Sequence, residues 1–404
     1  MLEDVNVALG VTGSIAAVKT VELAHELRRR GASVRAVMTS SARGIVHPWT
    51  VEFATDRPVV TEITGDVEHV ELCGRDGWAD VFLIAPATAN TVGKVASAID
   101  DTPVTTCATT ALGADVPVVI APAMHEPMYD HPGVLDAIER VEEWGVEFAD
   151  PRIEEGKAKV ATEDAICLAV ARAVFADRNE AALSDESVVV TAGATAEEID
   201  PVRVLTNRSS GRMGRAVARA CYVRGADVTL IHGPVGPHPP TSLGLNPKAD
   251  DPAVPYAELH EVSDSAAMLA AVEGAIEDAD ALVSVAAVGD YTTDEHADKL
   301  RSGQDLSLDL RPTPKIIDRA RETQPELPIV GFKTETSGDD GAMVDAARDI
   351  LDRAGLSFVV ANDASVMGAK ETRALFVSEE NVDEVVGSKE TVGGVVADRV
   401  ATLG

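Results

Sequence analysis

The chain has 404 residues, of which 45% are hydrophobic and 25% charged, and this length favours two domains because one hydrophobic core rarely grows so large. Its formal net charge at pH 7 is −32, with 67 acidic and 35 basic residues. A surface this acidic argues against nucleic acid and membrane as partners, since both carry phosphate charges that it would repel.

Several further features describe the cellular setting. The acidic residues are spread along the chain, which favours an adaptation to a cytoplasm of high salt, where self-repulsion is screened. No apolar run reaches the roughly 18 residues of a membrane helix, and the acidic start Met1–Asp4 is unlike a signal peptide. The four cysteines lie far apart without CxxC spacing, so neither a zinc site nor a disulfide framework is expected. Together these features predict a cytoplasmic protein.

The N-terminal half alternates apolar strands with helices. A strand is predicted over Val5–Gly10, a helix over Ile15–Arg30 and a second strand over Gly31–Met38. Further apolar runs predict strands over Val81–Ile84 and Val116–Ile120. This alternation indicates a parallel sheet with helices on both faces.

Small and hydroxyl-bearing residues follow these strands. The first loop, Gly10–Ile15, lacks the GxGxxG pattern, and Thr39–Ser41 stands where a nicotinamide enzyme would have an acidic ligand for the ribose. A third loop of small residues is predicted over Ala85–Thr91. Hydroxyl groups at these strand ends suit a single phosphate, as in FMN.

The polar stretch 176–186 has no periodic apolar face, and we place the domain boundary there. The predicted domains are 1–183 and 187–404. Both belong to the α/β class, and we expect two doubly wound, Rossmann-like domains.

The second half repeats the plan of the first. Its opening elements are a strand over Ser187–Gly193, a helix over Met213–Val223 and a strand over Arg224–Ile231. Later strands are predicted over Ala281–Val285 and Phe358–Val360. The stretch 233–255 is rich in Pro and Gly and is expected to form a long loop.

The run from Asp200 to Gly214 is the most informative part of the sequence. It brings together an arginine that looks buried (Arg203), an asparagine amide, two hydroxyls and two glycines between a strand and the start of a helix. Free backbone N–H groups and the helix dipole favour an anion at such a place. The run therefore predicts a phosphate-binding loop.

This run closely resembles the nucleotide-binding signature of phosphopantothenate–cysteine ligases, the second half of the bifunctional coenzyme A biosynthesis proteins. The first half is similar to the flavin-binding homo-oligomeric Cys decarboxylases, so the resemblance covers nearly the whole chain. It implies a flavodoxin-like FMN domain followed by a CTP-binding ligase domain. It also implies the substrates 4′-phosphopantothenate, L-cysteine and CTP, and trimers of the first domain joined by dimers of the second.

For the decarboxylase half, the resemblance implies His69 as a catalytic residue. FMN is expected at three loops, through Gly13, Ser14, Ile15, Thr39, Ser41, Thr88, Ala89, Asn90 and Thr91. The substrate motif corresponds to Pro122, Met124, His125 and Met128, with His125 where the family usually has Asn. The flap, 151–159, lacks the family's proton-donating Cys. Lys157 and Lys159 are therefore expected as proton donor or phosphate clamp.

The implied decarboxylation of a cysteinyl group requires an electron sink, which a flavin can provide. Loss of CO2 from a cysteinyl carboxylate would leave an unstabilised carbanion, and a flavin that oxidises the thiol to a thioaldehyde provides an electron sink.

For the ligase half, the resemblance implies that Asn207 stabilises an acyl-cytidylate and that Arg203 promotes its turnover. An Asn NH2 can bind the acyl oxygen, and Arg can grip a carboxylate or phosphate. No carboxylate cluster suggests a metal cage, so Mg2+ is expected to arrive with CTP. The implied nucleotide and substrate positions are Gly193, Ser209, Ser210, Gly211, Asp290, Lys299, Pro314, Lys315, Ile316, Ile317, Phe332, Asn362 and Arg353, the last in place of a family Lys.

Two other interpretations remain open on the sequence. One is a nicotinamide-dependent oxidoreductase, which the missing glycine fingerprint disfavours. The other is a flavoprotein whose first half is only an assembly or regulatory module, which His69 disfavours and the missing flap Cys favours.

Overall fold

The computed structural model describes residues 1–154, 157–178, 180–234, 254–301, 303, 306–335, 339–363 and 371–403. The chain divides into two compact units, Met1–Ala181 and Ala182–Gly404. Most of the predicted 233–255 loop lies outside the described residues. Among the residues that are described, no helix is both long enough and apolar enough to cross a membrane.

The first unit contains a five-stranded sheet in the order β2–β1–β3–β4–β6, in which all pairs are parallel. Its third strand, Val81–Ala87, is buried along its whole length, as expected of a strand covered by helices on both faces. The strands are β1 Asn6–Val11, β2 Ser33–Met38, β3 Val81–Ala87, β4 Val118–Pro122, β5 Met124–His125, β6 Glu147–Phe148, β7 Arg152–Glu154 and β8 Lys157–Lys159.

The helices of this unit follow the predicted alternation. The region predicted as one helix over Ile15–Arg30 consists of a 3-10 helix, Ile15–Lys19, followed by an α-helix, Thr20–Arg29. Short 3-10 helices are common at the N-termini of α-helices. The α-helices are α1 Thr20–Arg29, α2 Pro48–Thr55, α3 Glu68–Cys73, α4 Ala89–Ala96, α5 Pro103–Gly113, α6 Glu126–Tyr129, α7 Pro132–Glu142 and α8 Glu163–Asp177.

The second unit contains an eight-stranded sheet in the order β13–β12–β9–β14–β17–β18–β19–β20. The pairs up to β18 are parallel, and the last two strands add to the edge in antiparallel fashion. Its strands are β9 Ser187–Ala192, β10 Ala196–Asp200, β11 Arg203–Thr206, β12 Asp227–His232, β13 Glu258–Glu261, β14 Ala281–Ser284, β15 Tyr291–Thr292, β16 Arg311–Pro312, β17 Ile329–Glu335, β18 Phe358–Asp363, β19 Glu371–Val377 and β20 Val382–Ser388. Its helices are α9 Arg212–Val223, α10 Ser265–Ala275, α11 Ile316–Thr323, α12 Asp340–Ala354 and α13 Lys389–Val400.

Two strands begin later than the sequence predicted, for the same reason. Gly31 and Gly225 follow α1 and α9 with a φ of 103° each. A glycine in the left-handed region ends a helix, so each strand begins two residues further on, at Ser33 and Asp227.

Helices α9 and α13 pack closely because a glycine lies between them. A Cβ at Gly393 would lie 2.8 Å from the backbone C and O of Ala216. A Cβ at the neighbouring Gly394 would meet only Arg224 Nη2, at 3.5 Å. The two adjacent positions therefore differ in packing although both belong to α13.

We expect Gly393→Ala to lower the free energy of unfolding of the second unit by about 1–3 kcal/mol, the usual cost of overpacking. Gly394→Ala is the matched control and should raise it by up to about 1 kcal/mol, because Ala favours helix. Urea unfolding of both variants measures the difference. Shifts of the same sign and size would show that the α9–α13 contact does not depend on Gly393.

Candidate active sites

The first candidate site lies where the sheet of the first unit reverses its order, between β1 and β3. Ligands of doubly wound sheets bind at the carboxyl ends of such strands. The Thr12 hydroxyl donates to the Pro86 carbonyl at 2.7 Å, and the Ser14 hydroxyl donates to the Ala123 carbonyl at 3.0 Å. These bonds join the loop after β1 to the last part of β3 and to the residue that follows β4.

The other predicted cofactor residues lie in loops at the same edge. Thr39 and Ser41 hydroxyls are 3.1 Å apart after β2. Thr88 caps α4 by accepting from the Thr91 N–H at 3.2 Å, and Ala89–Thr91 form the first turn of that helix. The structure therefore collects hydroxyls and a helix N-terminus around one crevice, which suits a phosphate group.

The loop after β1 approaches the loop after β2 closely at Gly13. A Cβ there would lie 2.6 Å from both Cβ and Oγ of Ser41. Ile15 is another predicted cofactor residue. Its side chain is large and apolar, yet it is 79% exposed. This edge of the sheet thus offers hydroxyl groups and an exposed apolar side chain close together.

His69 lies on the short helix α3, Glu68–Cys73. Its side chain is half-buried, and within the described chain its buried Nδ1 has no hydrogen-bond partner. The neighbouring Glu68 accepts from the Thr64 hydroxyl and N–H, and these bonds hold the pKa of Glu68 below its usual value. A buried polar atom left unpaired in this way commonly marks a functional position, where a ligand or water supplies the missing partner.

The flap joins the predicted substrate motif through a three-stranded sheet, β5–β8–β7. In the antiparallel pair β5–β8, His125 is the register partner of Lys157 and Met124 that of Ala158. Pro122 ends β4, and Met128 is half exposed on α6. The backbone thus brings the motif and the flap together, while the side chain of Lys157 lies outside the described residues.

The second candidate site lies at the carboxyl ends of β9 and β14, where the order of the second sheet reverses. A cavity of about 610 Å³ opens there. Six predicted residues line it: Gly193, Ser209, Ser210, Gly211, Phe332 and Asn362. Further lining residues are Arg208, Arg212, Met213, Gly214, Val285, Ala287, Thr334, Thr372 and Lys389.

Gly211 lies against His232 at the start of α9. Gly211 caps α9 with a φ of 67°, and a Cβ on it would lie 2.7 Å from His232 Nε2. His232 is buried, and burial lowers its pKa to about 4, so the ring is neutral at physiological pH. Its Nδ1 lies 2.6 Å from the Gly233 carbonyl, which identifies Nδ1 as the protonated nitrogen. A neutral ring beneath the loop leaves the positive N-terminus of α9 to face the cavity.

The loop after β14, residues 285–290, is held by side chains from three directions. Thr191 Oγ1 accepts from the N–H groups of Val285 and Ala286, each at 3.1 Å. Thr195 Oγ1 accepts from Gly289 N at 2.8 Å, and Thr313 Oγ1 donates to the Gly289 carbonyl. These bonds fix the backbone that borders the cavity.

Asn207 also holds the 285–290 loop, and its side-chain hydrogen bonds differ from those expected from the sequence. Its Nδ2 donates to the carbonyls of Ala287 and Val288 at 3.0 and 3.2 Å. The predicted use of that NH2 for an acyl oxygen therefore competes with two protein carbonyls. Asn207 therefore holds part of the 285–290 loop, which borders the cavity.

The prediction that Arg203 is buried is wrong. Arg203 lies on the hairpin β10–β11, which the sequence did not reveal, and its side chain is 43% exposed. The buried member of the motif is Asp200, which pairs with the Arg203 guanidinium. A charged side chain stays near the surface unless it is paired on all sides, and here the carboxylate has taken the interior position.

The remaining predicted residues lie in several places. Lys315 forms an ion pair with Asp290, beside Pro314. Lys299 lies in the irregular segment after β15. Ile316 and Ile317 pack in the hydrophobic core. Arg353 pairs with Asp318 of α11 and is not among the described residues that line the cavity.

Sequence reasoning missed five polar residues of the cavity. Arg208 and Arg212 flank the predicted serines and could have been found from the motif itself. Thr334 donates to Asn362 Oδ1 at 3.0 Å and lies two residues after Phe332. Thr372 and Lys389 belong to β19 and α13, and only the antiparallel return of the sheet brings them here.

No group of three or more His, Cys, Asp or Glu side chains that could hold a metal ion occurs in the part of the chain that the structure describes. The four cysteines are free and buried.

Known families account for both units. The Flavoprotein family matches residues 1–175, and the DNA/pantothenate metabolism flavoprotein C-terminal domain matches residues 183–403. The coenzyme A biosynthesis bifunctional protein CoaBC of Thermococcus kodakarensis is 47% identical over 378 residues, which cover 93% of this chain and 89% of that protein. The chain belongs to this family of bifunctional coenzyme A biosynthesis proteins.

Other relatives extend the match. The corresponding protein of Methanocaldococcus jannaschii is 32% identical over 100% of this chain and 95% of its own length. That of Bacillus subtilis is 36% identical over 91% of this chain and 88% of its own length. The chain is thus an enzyme with a phosphopantothenoylcysteine decarboxylase half and a phosphopantothenate–cysteine ligase half. The nicotinamide-dependent alternative and the purely regulatory one do not fit this membership.

We expect Gly13→Ala to weaken flavin binding by about tenfold or more, equivalent to about 1.4 kcal/mol, because its Cβ would displace Ser41. The measurement is the flavin absorbance of the purified protein after dialysis against graded FMN. Gly113→Ala is the control, since a Cβ there meets nothing within 4 Å. Full flavin occupancy in Gly13→Ala would remove this loop from the cofactor site.

Proposed function

We propose that the second unit joins L-cysteine to 4′-phosphopantothenate with CTP, and that the first unit decarboxylates the product to 4′-phosphopantetheine with FMN. The observation that carries the ligase assignment is the cavity at the N-terminus of α9, with Arg208, Arg212 and Lys389 in its lining. Cations and a helix N-terminus in one cavity suit a nucleoside triphosphate. Mg2+ would arrive bound to CTP.

The ligase reaction takes two steps. The phosphopantothenate carboxylate attacks the α-phosphorus of CTP, pyrophosphate leaves, and an acyl-cytidylate forms. The amine of cysteine then attacks the acyl carbon, CMP leaves with the bonding electrons, and the nitrogen loses a proton. We assign the phosphates to Ser209, Ser210 and the backbone at Gly193 and Gly211, because these groups surround the start of α9.

The base and the acyl group would lie on either side of these phosphates. Phe332 offers a ring for stacking, and Asn362, whose Oδ1 is held by Thr334, presents its NH2 to the base. Asn207 acts on the intermediate through the 287–288 carbonyls that it fixes. Arg203 grips the acyl-cytidylate or the incoming carboxylate, and Lys299 and the Asp290–Lys315 pair contact the nucleotide.

In the first unit we assign FMN to the crevice formed by the loops after β1, β2 and β3. When bound, the flavin supplies the oxidation that gives the departing carboxylate an electron sink. His69 would bind and orient the cysteinyl end of the substrate, since its Nδ1 has no partner within the described chain. His125 and Met124 would hold the substrate under the β7–β8 flap, and Lys157 or Lys159 would deliver the final proton or clamp the phosphate.

We further propose a homo-oligomer in the cytoplasm, with trimeric decarboxylase and dimeric ligase units. Large apolar side chains support this by their exposure: Trp49 and Phe53 on α2 are 77% and 78% exposed. On the hairpin of the second unit, Val202 is 64% exposed. Patches of this kind on a soluble chain mark association surfaces.

The first functional prediction concerns Asn207→Asp. A carboxylate oxygen would replace the N–H groups that face two carbonyls, so the loop should shift, and ligation should slow by about 10²-fold or more. Amide formation is followed by CMP release, and decarboxylation by CO2 release from supplied phosphopantothenoylcysteine. Asn381→Asp, at an exposed turn where only the backbone of Asn381 is bonded, is the matched control.

Decarboxylation should continue in Asn207→Asp, because its site belongs to the other unit. An equal loss of both activities would contradict the assignment of two separate sites.

The second functional prediction concerns His69→Asn. We expect CO2 release to fall by about 10²-fold or more, because the substrate is no longer oriented by His69, while the protein stays loaded with flavin. His131→Asn is the control, since His131 only caps α7 and Asn is a good capping residue. A His69→Asn protein that is folded, flavin-loaded and fully active would exclude His69 from the chemistry.

A further inference from the structure

Asp200 is a buried carboxylate at the end of β10 that accepts hydrogen bonds on both oxygens. Its Oδ1 accepts from the backbone N–H groups of Val202 and Arg203, each at 2.9 Å. Its Oδ2 accepts from Arg203 Nε at 2.9 Å, from Arg203 Nη2, and from the Leu300 N–H at 3.0 Å. One carboxylate thus connects the hairpin turn, the guanidinium and a distant segment of the chain.

Leu300 is held through both of its backbone groups. Its N–H donates to Asp200, and its carbonyl accepts from Arg203 Nη2 at 2.6 Å. Lys299 is the preceding residue. The segment from Thr293 to Arg301 contains no helix or strand, and its other described backbone tie is from His296 N to the Ile199 carbonyl, at 3.0 Å.

The hairpin that carries Asp200 is itself fixed to the body of the unit. Thr206 Oγ1 donates to the Thr195 carbonyl at 2.7 Å, and Glu197 accepts from the Ser265 N–H at 2.9 Å. Asp200 therefore transmits a fixed position to the segment that it holds.

The charge state of Asp200 is equally fixed. The Arg203 guanidinium and the backbone N–H groups that donate to it hold its pKa well below the usual range. The carboxylate is therefore ionised throughout the pH range of a folded cytoplasmic enzyme. A buried, charge-assisted cluster of this kind is strong while complete and weak when one partner is removed.

We propose that Asp200 is the positioning residue of the ligase half, which fixes the Arg203 guanidinium and the Lys299 segment as one unit. Asp200 acts through these two cations and does not itself meet the substrate. The inference rests on the proposed function in one respect, namely that Lys299 serves the nucleotide step and Arg203 the amide-forming step. It predicts that one substitution at Asp200 impairs both steps.

The test is Asp200→Asn, an isosteric change that keeps the Oδ1 acceptor and removes the charge. Pyrophosphate release without cysteine measures the first step, and amide formation from preformed acyl-cytidylate measures the second. Both should slow by about tenfold or more, the scale of one charged hydrogen bond. Asp294→Asn is the control. Asp294 lies on the same segment as Lys299, and the change removes only its exposed ion pair with Arg311. It should leave both rates within about twofold.

A double-mutant cycle separates positioning from a general loss of stability. In a Lys299→Met background, Asp200→Asn should slow pyrophosphate release by no more than about twofold, because the cation it positions is already gone. Multiplicative effects would overturn the proposal, as would an Asp200→Asn protein that is slow only in the second step.

Limited trypsin cleavage after Lys299 and Arg301 provides a readout that does not depend on activity. Cleavage of the folded Asp200→Asn protein should be about tenfold faster than that of the Asp294→Asn control, since local opening exposes the segment. If Asp200→Asn fails to fold, Arg203→Lys serves instead, because it keeps the charge but loses the hydrogen bond to the Leu300 carbonyl. Its cleavage should also be faster than that of the control. Unchanged cleavage would show that Asp200 does not hold the Lys299 segment and would overturn the proposal. Absence of CTP-dependent turnover in the unmodified enzyme would overturn only the proposed function.

Discussion

The carboxyl ends of central parallel strands impose the constraint on which both sites depend. At β1–β3 and at β9–β14 the neighbouring connections leave the sheet in opposite directions, and the crevice between them has no regular hydrogen-bonding partner. Backbone groups there must be satisfied by side chains or by a ligand. Thr12 and Ser14 do this in the first unit, and Thr191, Thr195, Thr313 and Asn207 do it in the second.

These short polar side chains explain how loops can act as rigid binding surfaces. A threonine hydroxyl reaches the backbone of an adjacent loop without the flexibility of a long side chain, so each bond costs little conformational entropy. The 285–290 loop is held in this way from β9, from the hairpin and from the loop before α11. Asp200 extends the same principle to a charged group and to a segment without secondary structure.

Charge is distributed unevenly between the surface and the ligase cavity. The whole chain carries −32, yet arginines and a lysine line the cavity at the start of α9. Elsewhere, some exposed basic side chains pair with carboxylates, as Arg373 does with Asp340 and Glu384. An anionic substrate thus meets a repelling long-range field and an attracting local one, and salt screens the first far more than the second.

The sequence by itself determined the α/β class, the strand–helix alternation and the family, because apolar periodicity and the Asp200–Gly214 motif are local properties of the chain. It also located Gly193, Ser209, Ser210 and Gly211, since residues of one loop stay together in any fold. Only the tertiary structure revealed the hairpin β10–β11, which placed Asp200 inside and Arg203 outside. Thr372 and Lys389 reach the cavity because β19 returns antiparallel to β18. Such partners are far apart in sequence, and their meeting depends on strand order, which no local pattern records.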